Sequence, residues 1–157
     1  MNRRQFIASG LATGLASGLA LGAGPAFAGR AMFCTTRGVA IEGYDPVSYF
    51  AGEGPTRGRR DISLMWKGAV WHFSTRAHRD MFELNPWPLA PRYGAYCAYS
   101  MSQGRLIPAS PRAWHLAGGR LYLIRDAAAH ERWRADIAGN IARADVNWPG
   151  LLLTQGS

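Results

Sequence analysis

Residues 62 to 73 read Ile62-Ser63-Leu64-Met65-Trp66-Lys67-Gly68-Ala69-Val70-Trp71-His72-Phe73. Two runs of β-favouring residues flank Lys67-Gly68, and a two-residue connection ending in glycine closes a hairpin because its turn needs positive φ. The spacing predicts paired strands over 62–66 and 69–73. Further along, 113–116 and 121–124 bracket Gly118-Gly119 in the same way and predict a second hairpin.

Helices are expected around these hairpins. Asp45-Pro46 reads as an N-cap followed by a first-turn proline and predicts a short helix through Phe50. Ser74 or Thr75 caps the next helix, in which His78, Met81 and Phe82 fall at i, i+3 and i+4 on one face before Pro86 stops it. Asp126 caps a final helical stretch whose Trp133, Ile137 and Ile141 recur every four residues, with Gly139 as a candidate break. Two hairpins with helices between and after them make a small single α+β domain, its hairpins forming an antiparallel sheet with helices packed against it and a C-terminal helical extension.

The 157 residues suffice for one such domain and a short appendage. That appendage is the N-terminus. After Arg3 and Arg4 no charged residue appears until Arg30, and the stretch between is mostly Ala, Gly, Leu, Ser and Thr. Asn2-Arg3-Arg4-Gln5-Phe6-Ile7 resembles a twin-arginine export signal, and Ala26-Phe27-Ala28 has the small-x-small form of a cleavage site. The expected layout is a signal peptide over 1–28, an N-terminal arm over 29–37, the domain with its helical extension over 38–152, and a tail over 153–157. Export through the twin-arginine machinery would place the mature protein in the periplasm. The alternative is an uncleaved membrane anchor, since Phe6 to Phe27 is long enough to span a bilayer; its glycines, Pro25 and hydroxyl residues make it only weakly hydrophobic.

The charge belongs to the domain: two of 18 basic residues lie in the first 28, leaving 16 against 10 acids. All but Lys67 are arginine, with a local cluster at Arg57, Arg59 and Arg60. This balance permits weak contact with an anionic surface or a periplasmic protein partner, or is simply solvated surface charge. No nucleic-acid-binding module is present, so nucleic acid is not an expected partner. Catalysis is not expected either. The sequence holds no Gly-x-Ser-x-Gly elbow, His-Glu-x-x-His, phosphate-cradling glycine loop or Cys-x-x-Cys.

Four segments in order carry a family resemblance: Tyr44-Asp45-Pro46-Val47-Ser48-Tyr49-Phe50; Trp66 to Ser74; Phe82 with Tyr93-Gly94-Ala95-Tyr96-Cys97-Ala98; and Ile137 to Ala142 with Asn147-Trp148-Pro149. Together they resemble the YHS domain family in its small exported branch. The resemblance implies a non-enzymatic module concerned with metal, copper or zinc. In the family's metal-linked branch cysteines stand where this chain has Ser48, Ser74 and His78, so a thiolate-rich site is not implied here.

Read by residue type, Cys97 and the histidines His72, His78, His115 and His130 are the ligands that suit copper or zinc. No two of them sit at ligand spacing, and each histidine also reads as an ordinary strand or helix residue. Position in the resemblance singles out Cys97 and His78, with His72 third. Cys97 has three readings: a disulfide with Cys34, closing a loop of about 63 residues and contributing about 4 kcal/mol; a buried structural thiol; or a ligand or redox thiol. The runner-up function is a small-ligand or interaction module using an aromatic pocket built from Trp66, Trp71, Trp87 and Trp114.

Overall fold

A computed structural model describes residues 32–154; the expected signal peptide, the start of the arm and the end of the tail lie outside them. The order is β1 (Thr35–Thr36), β2 (Val39–Ala40), β3 (Arg59–Trp66), β4 (Ala69–Phe73), α1 (Arg76–Leu84), α2 (Pro86–Leu89), α3 (Ala98–Ser102), β5 (Ser110–Ala117), β6 (Arg120–Ile124), α4 (Ala127–Ala135), α5 (Ile137–Asn147) and α6 (Gly150–Thr154). The protein is α+β, as expected. Both hairpins form at the predicted turns, where Lys67 and Gly68 have φ of 50° and 76° and Gly118 and Gly119 of 56° and 69°.

The hairpins do not share one antiparallel sheet. β3 and β4 belong to a four-stranded mixed sheet ordered β1-β2-β4-β3, while β5 and β6 pair only with each other. The reason is competition for the β4 edge: the arm folds back so that β2 runs parallel to β4, with Val39 opposite Val70, and occupies it. Pleating then sorts β3 and β4 into two faces. Ile62, Leu64, Trp66, Ala69, Trp71 and Phe73 point into the core with Phe82 of α1, while Ser63, Met65, Val70 and His72 lie on the other face. A second cluster gathers Tyr93, Cys97, Met101, Tyr122, Ile124 and Trp133 between β5–β6 and the helices α3 to α5.

Three helix expectations need correction. Residues 46–52 form consecutive turns rather than a helix, with the amides of Phe50 and Ala51 both bonded to the Val47 carbonyl, although Asp45 accepts from the Val47 amide as a cap would. In α1 Phe82 is buried but Met81 is half-exposed, because the helix meets the sheet along one narrow line. The final stretch breaks at Asp136, which ends α4 and caps α5 by accepting from the Gly139 amide at 3.0 Å. Gly139 follows the break; a Cβ there would strike the Asp136 carboxylate. Buried Asn140 locks the corner, donating to the carbonyls of Arg132 and Trp133 and accepting from the Ser102 hydroxyl.

Candidate functional site

The face of β3–β4 turned away from the core is the floor of an open cavity of ≈ 640 Å³. Val39 and Val70, paired across β2 and β4, supply an apolar strip, with Ser63 and His72 beside it. Arg37 enters from the β1–β2 turn, where its φ is 52°, Arg57 from the approach to β3 and Arg60 from the start of β3 itself. A register shift between Arg59 and Ser63 breaks the simple alternation there, the usual way a bulge re-aims side chains. Arg59 pairs with Asp61 at 2.8 Å on the surface, while its neighbours Arg57 and Arg60 line the cavity.

Arg57 is held from two sides. Its guanidinium stacks 4.4 Å from the Tyr44 ring centre and donates to the Glu42 carbonyl at 2.9 Å. Among the described residues Arg37, Arg57 and Arg60 have no carboxylate at ion-pair distance; Glu42 is the acidic residue in the cavity wall. His72 is held below the ordinary histidine pKa, first by burial and then by the Arg60 charge. Two glycines let the walls close. A Cβ at Gly58 would lie 2.5 Å from the His72 carbonyl carbon, and one at Gly43 would lie 3.0 Å from His72 Nδ1.

Elsewhere, Asp45 is fully buried and collects four donors. Its Oδ1 accepts from the Val47 amide at 2.8 Å; its Oδ2 accepts from the Ser74 amide at 2.8 Å, the Ser74 hydroxyl at 2.6 Å and His78 Nδ1 at 2.7 Å. The hydroxyl of buried Ser48 lies 2.8 Å from the Asp45 carbonyl and 2.6 Å from the Gly54 carbonyl, with its single proton shared between the two. Thus Ser74 and His78 meet at the Asp45 carboxylate and Ser48 reaches the same residue through its main-chain carbonyl; these are the three places where the resemblance points to cysteines in its metal-linked branch. Hydrogen bonds join them. Because the acceptor is a carboxylate, the His78 proton sits on Nδ1. Ser74 and Asp45 address the same ring nitrogen, so the two-nitrogen relay of a serine–histidine–carboxylate triad is not formed.

Cys97 belongs to the other core. It is fully buried at the head of α3, where its sulfur accepts from the Ser100 amide at 3.4 Å. His72 lines the cavity, His78 binds Asp45, and Cys97 caps α3, so the expected Cys97–His78–His72 ligand set is not assembled; among the described residues no group of three His, Cys, Asp or Glu side chains converges as a metal site. The Cys34–Cys97 disulfide is likewise not formed. Cys34 lines a small crevice with Ile41, Ala95 and Leu123, whereas the Cys97 sulfur is turned into its own helix. Thiol titration of the unfolded, unreduced chain is therefore expected to count two thiols, and reductant to leave Tm unchanged. A count of zero would restore the disulfide.

The aromatic-pocket expectation is also revised. Trp71 is fully buried, Trp66 and Trp114 pack against the core, and only Trp87 is largely exposed, its ring lying 4.9 Å from Trp66. The cavity over the outer face of β3–β4 is walled by arginines instead, and the sequence signal that pointed toward it was the Arg57/Arg59/Arg60 cluster.

Fold and site together define an α+β domain with a cationic cleft on the open face of a small mixed sheet. Comparison with family models, curated proteins and solved structures gives no match to this chain. Among the described residues no helix is long and apolar enough to cross a membrane; Phe6 to Phe27 lies outside them.

Proposed function

We propose that this chain is an exported, non-catalytic binding module of the YHS kind that takes a small anionic ligand with an apolar portion. One observation carries the reading: Arg37, Arg57 and Arg60, without carboxylate partners among the described residues, line one concave cavity with a valine floor. Guanidinium groups present forked N–H donors that match carboxylate or phosphate oxygens, and Val39 and Val70 accommodate hydrocarbon. The arginine pair before a weakly hydrophobic N-terminal stretch supports export, with the twin-arginine machinery as the first partner met.

Calorimetric titration with decanoate, acetate and decyltrimethylammonium tests the binding reading. Decanoate is expected to bind, acetate more weakly for lack of a tail, and the cation not at all. Arg60→Gln and Arg37→Gln should each weaken decanoate about tenfold or more, since a hydrogen bond to a charged group contributes about 1.5–3 kcal/mol. Affinity should also rise as pH falls below the ordinary histidine value of about 6.5, because His72, held under that value, adds a positive charge to the wall as it takes up its proton. Equal binding of the anion and the cation, or no loss in either arginine variant, would overturn the proposal.

A further inference from the structure

His115 on β5 and His130 on α4 are 15 residues apart in sequence, yet their ring centres lie 6.0 Å apart with the planes at 70°. We propose that these two imidazoles form a site for a borderline transition-metal cation, Cu(II) or Zn(II), distinct from the arginine cleft and from the Asp45 cluster. Two observations carry this inference.

The first is distance. A metal–nitrogen bond of about 2.0–2.1 Å places each ring centre roughly 3.2 Å from the ion, so two imidazoles on one ion have centres about 4.5–6.4 Å apart over bond angles of about 90° to 180°. The observed separation of 6.0 Å falls inside that range. The second is an orphaned atom. His130 Nε2 is shielded from solvent and has no hydrogen-bond partner, whereas buried polar atoms normally find one, and an exception calls for a water or an ion. Simple edge-to-face packing of two rings would leave that nitrogen unexplained.

The neighbouring charges also leave room for a bound cation. Arg134 is the cation that would oppose a bound ion, and it is engaged by Glu131 at 2.6 Å. That carboxylate lies within electrostatic reach of His130 as well. Imidazole pairs suit copper and zinc; magnesium and calcium require oxygen donors. Two protein ligands leave the remaining coordination positions to water or to a further ligand.

The test titrates Cu(II), Zn(II) and Mg(II) into the untagged full chain, freed of metal beforehand. Copper and zinc are expected to bind with one-to-one stoichiometry and to raise Tm, with no response to magnesium. His115→Ala and His130→Ala should each weaken copper at least tenfold, while His78→Ala and Cys97→Ser leave it unchanged. Should His130→Ala fail to fold, His130→Gln keeps a similar volume, and the copper EPR spectrum of the wild-type chain gives an independent reading. Hyperfine coupling to two imidazole nitrogens is expected. Coupling to none, equal copper affinity in wild type and His115→Ala, or loss confined to Cys97→Ser or His78→Ala would each overturn the proposal.

Discussion

Asp45→Ala is expected to be the most damaging single polar substitution in this domain. The buried carboxylate satisfies the Val47 and Ser74 amides, the Ser74 hydroxyl and His78 Nδ1 at once. Alanine removes the acceptor and leaves those donors facing a space from which water is excluded. Breaking a buried charge-assisted cluster from its central member costs about 3–5 kcal/mol, which lowers Tm by roughly 10 to 20 °C in a domain of this size. Asp45→Asn keeps one acceptor oxygen and the volume, and should fall between alanine and wild type. His78→Ala should cost least, since the carboxylate keeps three donors. Thermal denaturation followed by circular dichroism reads the order directly. A Tm for Asp45→Ala within a few degrees of wild type would mean that the cluster contributes little.

The second large effect is in the apolar core. Trp71 is fully buried, edge-on to Phe33 with ring centres 5.0 Å apart, 5.0 Å from the Phe82 ring and 5.8 Å from Trp66, and its indole N–H donates to the Trp66 carbonyl at 3.2 Å. Trp71→Ala opens a cavity beneath the strand that carries His72 and Val70, and such truncations cost about 3–5 kcal/mol. The urea midpoint should drop accordingly, and anion binding in the cleft should weaken with it, because the floor loses its support. Trp87→Ala is the matched control: that ring is 55% exposed and its loss should be within about 1 kcal/mol. Similar losses in the two variants would show that burial is not what makes Trp71 matter.

These two side chains differ in how far they could be read beforehand. Trp71 alternates inward in a hairpin whose turn, Lys67-Gly68, is visible in sequence, so its burial follows from the pleat. Asp45 before Pro46 looks like a local cap, and it does accept from the Val47 amide two residues on. Its stronger role depends on Ser74 and His78, 29 and 33 residues away, for which no local pattern exists. Met81 shows the same limit. Helical spacing put it beside Phe82 on one face, but the width of the groove that receives the helix decides how much of that face is covered.

Local structure follows from residue type and spacing alone. Both glycine-containing turns close their hairpins, Thr75 and Asp126 cap α1 and α4, and the mixture of elements makes the protein α+β. Turn conformation and capping involve atoms within about four residues of each other, so residue type and spacing suffice. Tertiary structure alone decided the rest: that β2 runs parallel to β4 and keeps the hairpins in separate sheets, that Arg37 joins Arg57 and Arg60 over a valine floor, that Cys34 and Cys97 form no disulfide, and that His115 meets His130. Each of these is a meeting of residues separated by many others. Which such meetings occur is set by how the buried faces of all the elements share two cores, a property of the whole chain that no short stretch of it carries.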